Sequence, residues 1–165
     1  MTTAVEGAEV SDVSSDQVYR PLGTYALLTG TFLAGFGAIL AVAEARNRLP
    51  RQLGLADIAL VGIASHKLSR LVAIDEVTAF VRAPFVEVRT GEGDDIEEEP
   101  TGRGPRRAVG ELLTCPSCVG QWAAAGFVAS HLWAPRATRT IASVFVADAI
   151  SDFLHVAYRG LKDRA

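Results

Sequence analysis

Three groups of residues in this sequence carry side chains that could do chemistry. Cys115 and Cys118 form a Cys-Pro-Ser-Cys motif that opens an uncharged run. With Pro116 at the first helical position, Cys115 falls at the cap, where the helix dipole lowers a thiol pKa and suits redox chemistry. The same pair supplies half of a tetrahedral zinc site, which His66 and His155 could complete. His131 could not, because thirteen residues of helix beyond Cys118 put it about 20 Å away. The plainest alternative is two small polarisable residues at a packed helix start. The second group is basic: His66, Lys67 and Arg70. The third is Asp148, Asp152 and His155, spaced i, i+4, i+7 and so on one helical face.

Both charged groups interrupt apolar sequence, where an unpaired charge costs about 2.5–3.5 kcal/mol at mid-bilayer. Arg70 or Lys67 is therefore expected to pair with Asp148 or Asp152 across two helices. Helical spacing puts His66, Ser69 and Arg70 on one side and points Lys67 elsewhere. Such a set could serve as a proton relay or a polar ligand pocket. It could equally be a clamp that fixes helix register.

The elements that must position these groups follow from the hydropathy pattern. Of 165 residues 49% are hydrophobic, with 16 Lys+Arg against 19 Asp+Glu and a net charge of −3. The mean hydropathy is +0.23, a positive value that soluble domains rarely carry. Residues 1–20 are acidic and aperiodic and read as a disordered tail, not a secretory signal. The remainder, 21–165, reads as one helical membrane domain. Leu22 to Ala43 holds 22 residues without charge, enough to cross a hydrocarbon core of about 30 Å. Its Gly30, Ala34 and Ala38, with Gly37 and Ala41, are small-xxx-small pairs that let another helix approach.

Leu55 to Ala73 is a second block, apolar toward Ala64 and then basic, which spans only if its charges face protein or water. The polar connection 75–111 holds the helix breaker Ala83-Pro84 and an alternating stretch from Phe85 to Thr90. Gly91 to Asp94 is turn chemistry, so a short β-hairpin returning through Asp95 to Glu99 is expected. Glu97, Glu98 and Glu99 read as a solvated acidic face. Leu112 to Ser130 is uncharged again, with Pro135 closing that helix, and a fourth block runs from Thr140 to about Tyr158.

The predicted fold class is an all-α membrane protein: a small multi-pass bundle of three to four hydrophobic helices with a polar loop. The positive-inside rule chooses among its topologies. Three spans, with the second block re-entrant or flat, put eleven basic residues inside and three outside. That arrangement has the N-terminus outside and the C-terminus cytoplasmic, in a bacterial inner membrane. Four spans with both ends inside give nine against five. Both put Cys115 and Cys118 at the cytoplasmic end, where thiols stay reduced.

Three motifs in order carry a resemblance: Ser65-His66-Lys67-Leu68-Ser69-Arg70-Leu71, then Arg82-Ala83-Pro84-Phe85, then Glu111-Leu112-Leu113-Thr114-Cys115-Pro116-Ser117-Cys118-Val119-Gly120-Gln121-Trp122. Over roughly residues 55–157 the chain resembles the domain of unknown function thirteen-sixty, a family of bacterial and phage integral membrane proteins that includes a sporulation protein. The resemblance implies a membrane location and helices, and no activity, substrate or cofactor. The first functional expectation is a non-enzymatic component that packs against lipid, itself or a membrane-protein partner. The second is a thiol- or zinc-dependent site at Cys115, Cys118, His66 and His155; the third is a proton relay or transport role in an oligomer. No phosphate loop, hydrolase elbow or basic aromatic stripe is present, and no nucleic-acid partner is expected.

Overall fold

Apolar composition and breakers between them divide this chain into four long helices. The computed structural model describes residues 22–90 and 96–164. The acidic tail and the Gly91–Asp94 turn lie outside the described residues. Helix α1 covers Leu22–Ala45, about 36 Å at 1.5 Å per residue. It ends where Asn47 takes a left-handed conformation, φ 53°, and Arg48 N–H closes back on the Ala43 carbonyl at 2.8 Å. Helix α2, Leu55–Ala73, starts after an extended Gly54, with the boundaries that the hydropathy pattern gives.

The polar connection contains more structure than its charge density suggests. A single 3-10 turn, Glu76–Thr78, leads into α3, Ala79–Arg82, which stops before Pro84. Strands β1, Val86–Thr90, and β2, Ile96–Pro100, form the expected hairpin, antiparallel with Val86 opposite Pro100 and Val88 opposite Glu98. Gly102 and Gly104, both at positive φ, turn the chain into α4, Pro105–Leu113.

Helix α5, Pro116–Trp133, is capped by Cys115 in an extended conformation, as the Pro116 position requires. The uncharged run from Leu112 is therefore divided, not one helix. Leu112 and Leu113 belong to α4, and α4 and α5 meet at 85°. The cause is local: Pro116 has no N–H to bond back toward α4, and its ring pushes Cys115 out of the helical region. One residue, Ala134, separates α5 from α6, Pro135–Lys162, which is longer at both ends than its apolar stretch.

The long helices pack as an up-and-down bundle. α2 lies against both α5 and α6, α6 also against α5, and α1 against α5 and α4. Side-chain pairings give the directions. Asp57 sits by His131, and a Cβ on Gly120 would lie 3.6 Å from Ser69 Oγ, so α2 and α5 are antiparallel. Asp57 also meets Arg139, and Lys67 meets Asp148 and Asp152, so α2 and α6 run in the same direction. Tyr25 bonds Glu111 and Phe32 packs on Trp122, so α1 runs with α5. The first turn of α1 and the last of α6 thus lie at the end that carries the cysteines.

The core is Ala64, Phe127 and Ala142, with Leu60, Leu68 and Phe145 against it. Two fully buried alanines at a helix crossing allow close backbone approach. Ser65 and Ser69 are buried there too, and donate back to the Val61 and His66 carbonyls at 2.7 and 2.8 Å. Beyond this core the helices are apolar outward: Leu27, Leu33, Phe153 and Leu154 are each more than 60% exposed. α1 and α6 are long and apolar enough to cross a membrane, and the bent α4–α5 pair is a third if counted as one span. α2 falls short on composition, since it carries Asp57, Lys67 and Arg70.

Candidate functional site

The cysteine pair stands at the corner between α4 and α5. Cys115 Cα and Cys118 Cα are 5.2 Å apart and the two sulfurs are at bonding distance, as in a disulfide. The Cys118 N–H donates to Cys115 Sγ at 3.3 Å, so the first turn of α5 directs a backbone dipole at that sulfur. The Cys118 and Val119 N–H groups also reach the Cys115 carbonyl at 3.0 Å.

Both cysteines line a cavity of about 640 Å³ between α1, α4 and α5. Phe32 and Trp122 form its aromatic wall, edge to face at 5.1 Å, and Leu28, Leu33 and Leu112 complete the apolar part. Its polar lining includes Gln121, Thr29, Tyr25 and Glu111. The Tyr25 hydroxyl donates to Glu111 Oε2, and Arg107 donates from Nε to the other carboxylate oxygen at 3.0 Å. Glu111 lies 86 positions from Tyr25 and has no local spacing signal of this bond.

The histidines do not join the cysteines. No group of three or more His, Cys, Asp or Glu residues that could hold a metal ion occurs among the described residues. His66 is exposed on α2 and His155 on the last third of α6. Among the described residues the pair thus offers two sulfurs without a histidine beside them, where a structural zinc needs four ligands.

The charged groups meet in a different arrangement. Lys67, its side chain 13% exposed, reaches Asp148 Oδ2 at 3.1 Å and Asp152 Oδ2 at 2.5 Å. One ammonium therefore bridges two carboxylates one helical turn apart. Arg70 is exposed beyond this bridge. The α2 side chain that bonds α6 is Lys67, while Arg70, about 60° round the helix from it, and His66 stay exposed. At the far end Arg139 donates from Nε and Nη2 to Asp57 Oδ1 and Oδ2, both at 2.8 Å, a bidentate pair. His131 Nε2 stands 4.0 Å from the same carboxylate. Asp57, a lone acid 82 positions from its partner, carries no sequence signal of this role.

A charge reversal tests the Lys67 bridge. Lys67→Asp is expected to lower the amount of folded protein recovered from membranes severalfold, by leaving three carboxylates together. Lys67→Asp with Asp152→Lys restores it. Equal yields from the single and double variants would show that the bridge does not hold α2 to α6.

A bundle of outward-apolar helices, with Lys67 and Arg139 paired to acids on neighbouring helices, defines a small helical membrane protein. The chain belongs to the family described as protein of unknown function (DUF1360), which matches residues 60–158 and so leaves α1 outside. Two Bacillus subtilis (strain 168) proteins are similar to it. The UPF0713 protein YngL is 29% identical over 76 residues, 45% of this chain and 56% of that protein. The sporulation protein YjcA is 31% identical over 86 residues, 50% of this chain and 73% of that protein. The chain thus spans little more than half of the length of YngL. No solved structure matches.

Proposed function

We propose that this is a multi-pass protein of the bacterial inner membrane whose working part is a dithiol–disulfide couple, Cys115 and Cys118, at the cytoplasmic end of the bundle. The observation that carries the reading is the opening of that pair, at the first turn of α5, onto a cavity of about 640 Å³. Two cysteines kept only for packing would have no need of a ligand-sized space beside them. The parallel course of α1 and α5 favours four traverses with both termini cytoplasmic. The charge count alone ranks three spans first, but α2 lies beside α5 from Asp57 to Ser69, about 18 Å of depth. Its charges meet partners on α6, which lowers the cost of taking them across.

The couple is tested by its redox state. Alkylation with a mass-tagged maleimide, after equilibration of membranes at set glutathione or dithiothreitol ratios, is expected to give a reversible two-state transition. Its midpoint should lie in the range of dithiol oxidoreductases, about −270 to −120 mV. Cys115→Ser leaves Cys118 reactive at every poise. A pair that stays fully alkylated, or fully protected, across that range sinks the reading.

A second reading, a packing component that assembles with itself or with a membrane partner, draws on α1. A Cβ on Gly30 or Gly37 would meet nothing within 4 Å, so this small-residue face is open to another helix.

A further inference from the structure

We propose that the cavity beside Cys115 and Cys118 takes the ring of a lipid-soluble quinone, which oxidises the pair, and that the neighbouring groove, which shares Phe32 and Trp122 with that cavity, holds the quinone's tail. The proposal rests on the reading of the cysteines as a redox couple and names what that couple exchanges electrons with.

The space has two parts that share a wall. The first, about 640 Å³, is within the range of about 300–1,000 Å³ typical of small-molecule sites. It holds the polar groups Tyr25, Glu111 and Gln121 together with both sulfurs. The second, about 220 Å³, lies along α1 and α5 on the other side of the Phe32–Trp122 contact. Small and apolar residues line it, among them Gly35, Ile39, Ala125 and Ala129. Both parts run from the cysteine end toward the opposite end of the helices, so polarity falls with depth. A ligand that matches this gradient has a flat polar head and a long apolar tail. A peptide or glutathione disulfide has no tail to place there, and a phospholipid chain would fill the groove without accepting electrons.

The electrons balance within the pair and its ligand. Cys115 and Cys118 form one S–S bond and give up two electrons and two protons. The quinone gains both, and its two carbonyl oxygens become hydroxyls. The Tyr25 hydroxyl and the Glu111 carboxylate it bonds stand at the head end, where such hydroxyls need partners. Cytosolic thiols would then reduce the disulfide again.

The test uses the full chain in phospholipid nanodiscs, with decylubiquinone as the probe. Trp133→Phe leaves Trp122 as the sole tryptophan of the chain's two. Saturable quenching of its fluorescence is expected, and it should persist when both cysteines are serine. Gly35→Leu adds a side chain where a Cβ meets nothing within 4 Å, so it folds and fills the groove. It is expected to weaken binding about tenfold, the order for an apolar group that no longer fits. The reduced protein with both cysteines should yield one quinol per disulfide formed. Thiols that cycle with glutathione but neither bind nor reduce the quinone overturn this proposal and leave the redox couple standing. So does quenching that a ring-less isoprenoid alcohol competes away equally well. Quinone binding to a pair that no oxidant closes removes the couple as well.

Discussion

Arg82→Ala is expected to cost about 3–5 kcal/mol and to lower the melting temperature in detergent by on the order of 10 °C. Arg82 is 2% exposed, and its acceptors are part-buried. Its Nε and Nη2 donate to Glu98 Oε2 and Oε1 at 2.6 and 2.9 Å, and Nη1 donates to the Val72 and Asp75 carbonyls at 2.8 and 3.1 Å. The same nitrogen reaches Thr78 Oγ1 at 3.2 Å. One side chain therefore joins the end of α2, the 3-10 turn and the second strand. Alanine leaves a largely buried carboxylate and two carbonyls without that partner, which costs more than the pair contributes net. Lysine keeps the charge but not the planar fork, and Arg82→Lys should recover less than half of the loss. A melting temperature for Arg82→Ala within a degree of the parent would show that the hairpin is not held by this contact.

Gly110 gives the second large effect. A Cβ there would lie 2.6 Å from the Phe85 carbonyl oxygen and 3.1 Å from Pro100 Cβ, where α4 crosses the base of the hairpin. Phe85 O already accepts from Thr101 N–H at 2.9 Å, so it cannot move without breaking that bond. Gly110→Val is expected to destabilise by about 3 kcal/mol, at the upper end for overpacking. Gly110→Ala separates two forces of opposite sign. Helix propensity alone predicts a gain of up to about 1 kcal/mol, and the contact predicts a loss. The contact should win. Gly62→Ala in α2, where a Cβ meets nothing within 4 Å, is the control that should not lose stability. Equal melting temperatures for the two alanine variants would refute the close approach.

These two sites show where sequence reasoning stops. The hydropathy pattern gives α2 its residues, Leu55–Ala73, because its boundaries are made by glycine and by a change of composition. Period-two alternation likewise locates β1, and the cap of α5 follows from the Pro116 position. The α4–α5 elbow is less visible, since an uncharged run reads the same whether or not its axis turns. Helix α4 hides in the charged connection because Arg106, Arg107 and Glu111 lie along it. The charged residues of α2 and α6 can be expected to meet, but which cation does so depends on the face that α6 covers. That is a tertiary fact, and it selects Lys67. Arg82 and Asp57 have no such trace, since each acts through partners in distant elements.

The elbow has a consequence for rates. If α5 stands near the membrane normal, an 85° turn lays α4 nearly flat in the headgroup layer. Cys115 and Cys118, at the vertex, are then fixed at the boundary between two phases. On the proposed redox couple, thiols would arrive from water, counted per litre of cytosol, and the oxidant from lipid, counted as a mole fraction of the bilayer. Turnover at such a corner would scale with each quantity in its own compartment, and dilution of the lipid alone would slow it while the aqueous reductant stayed constant.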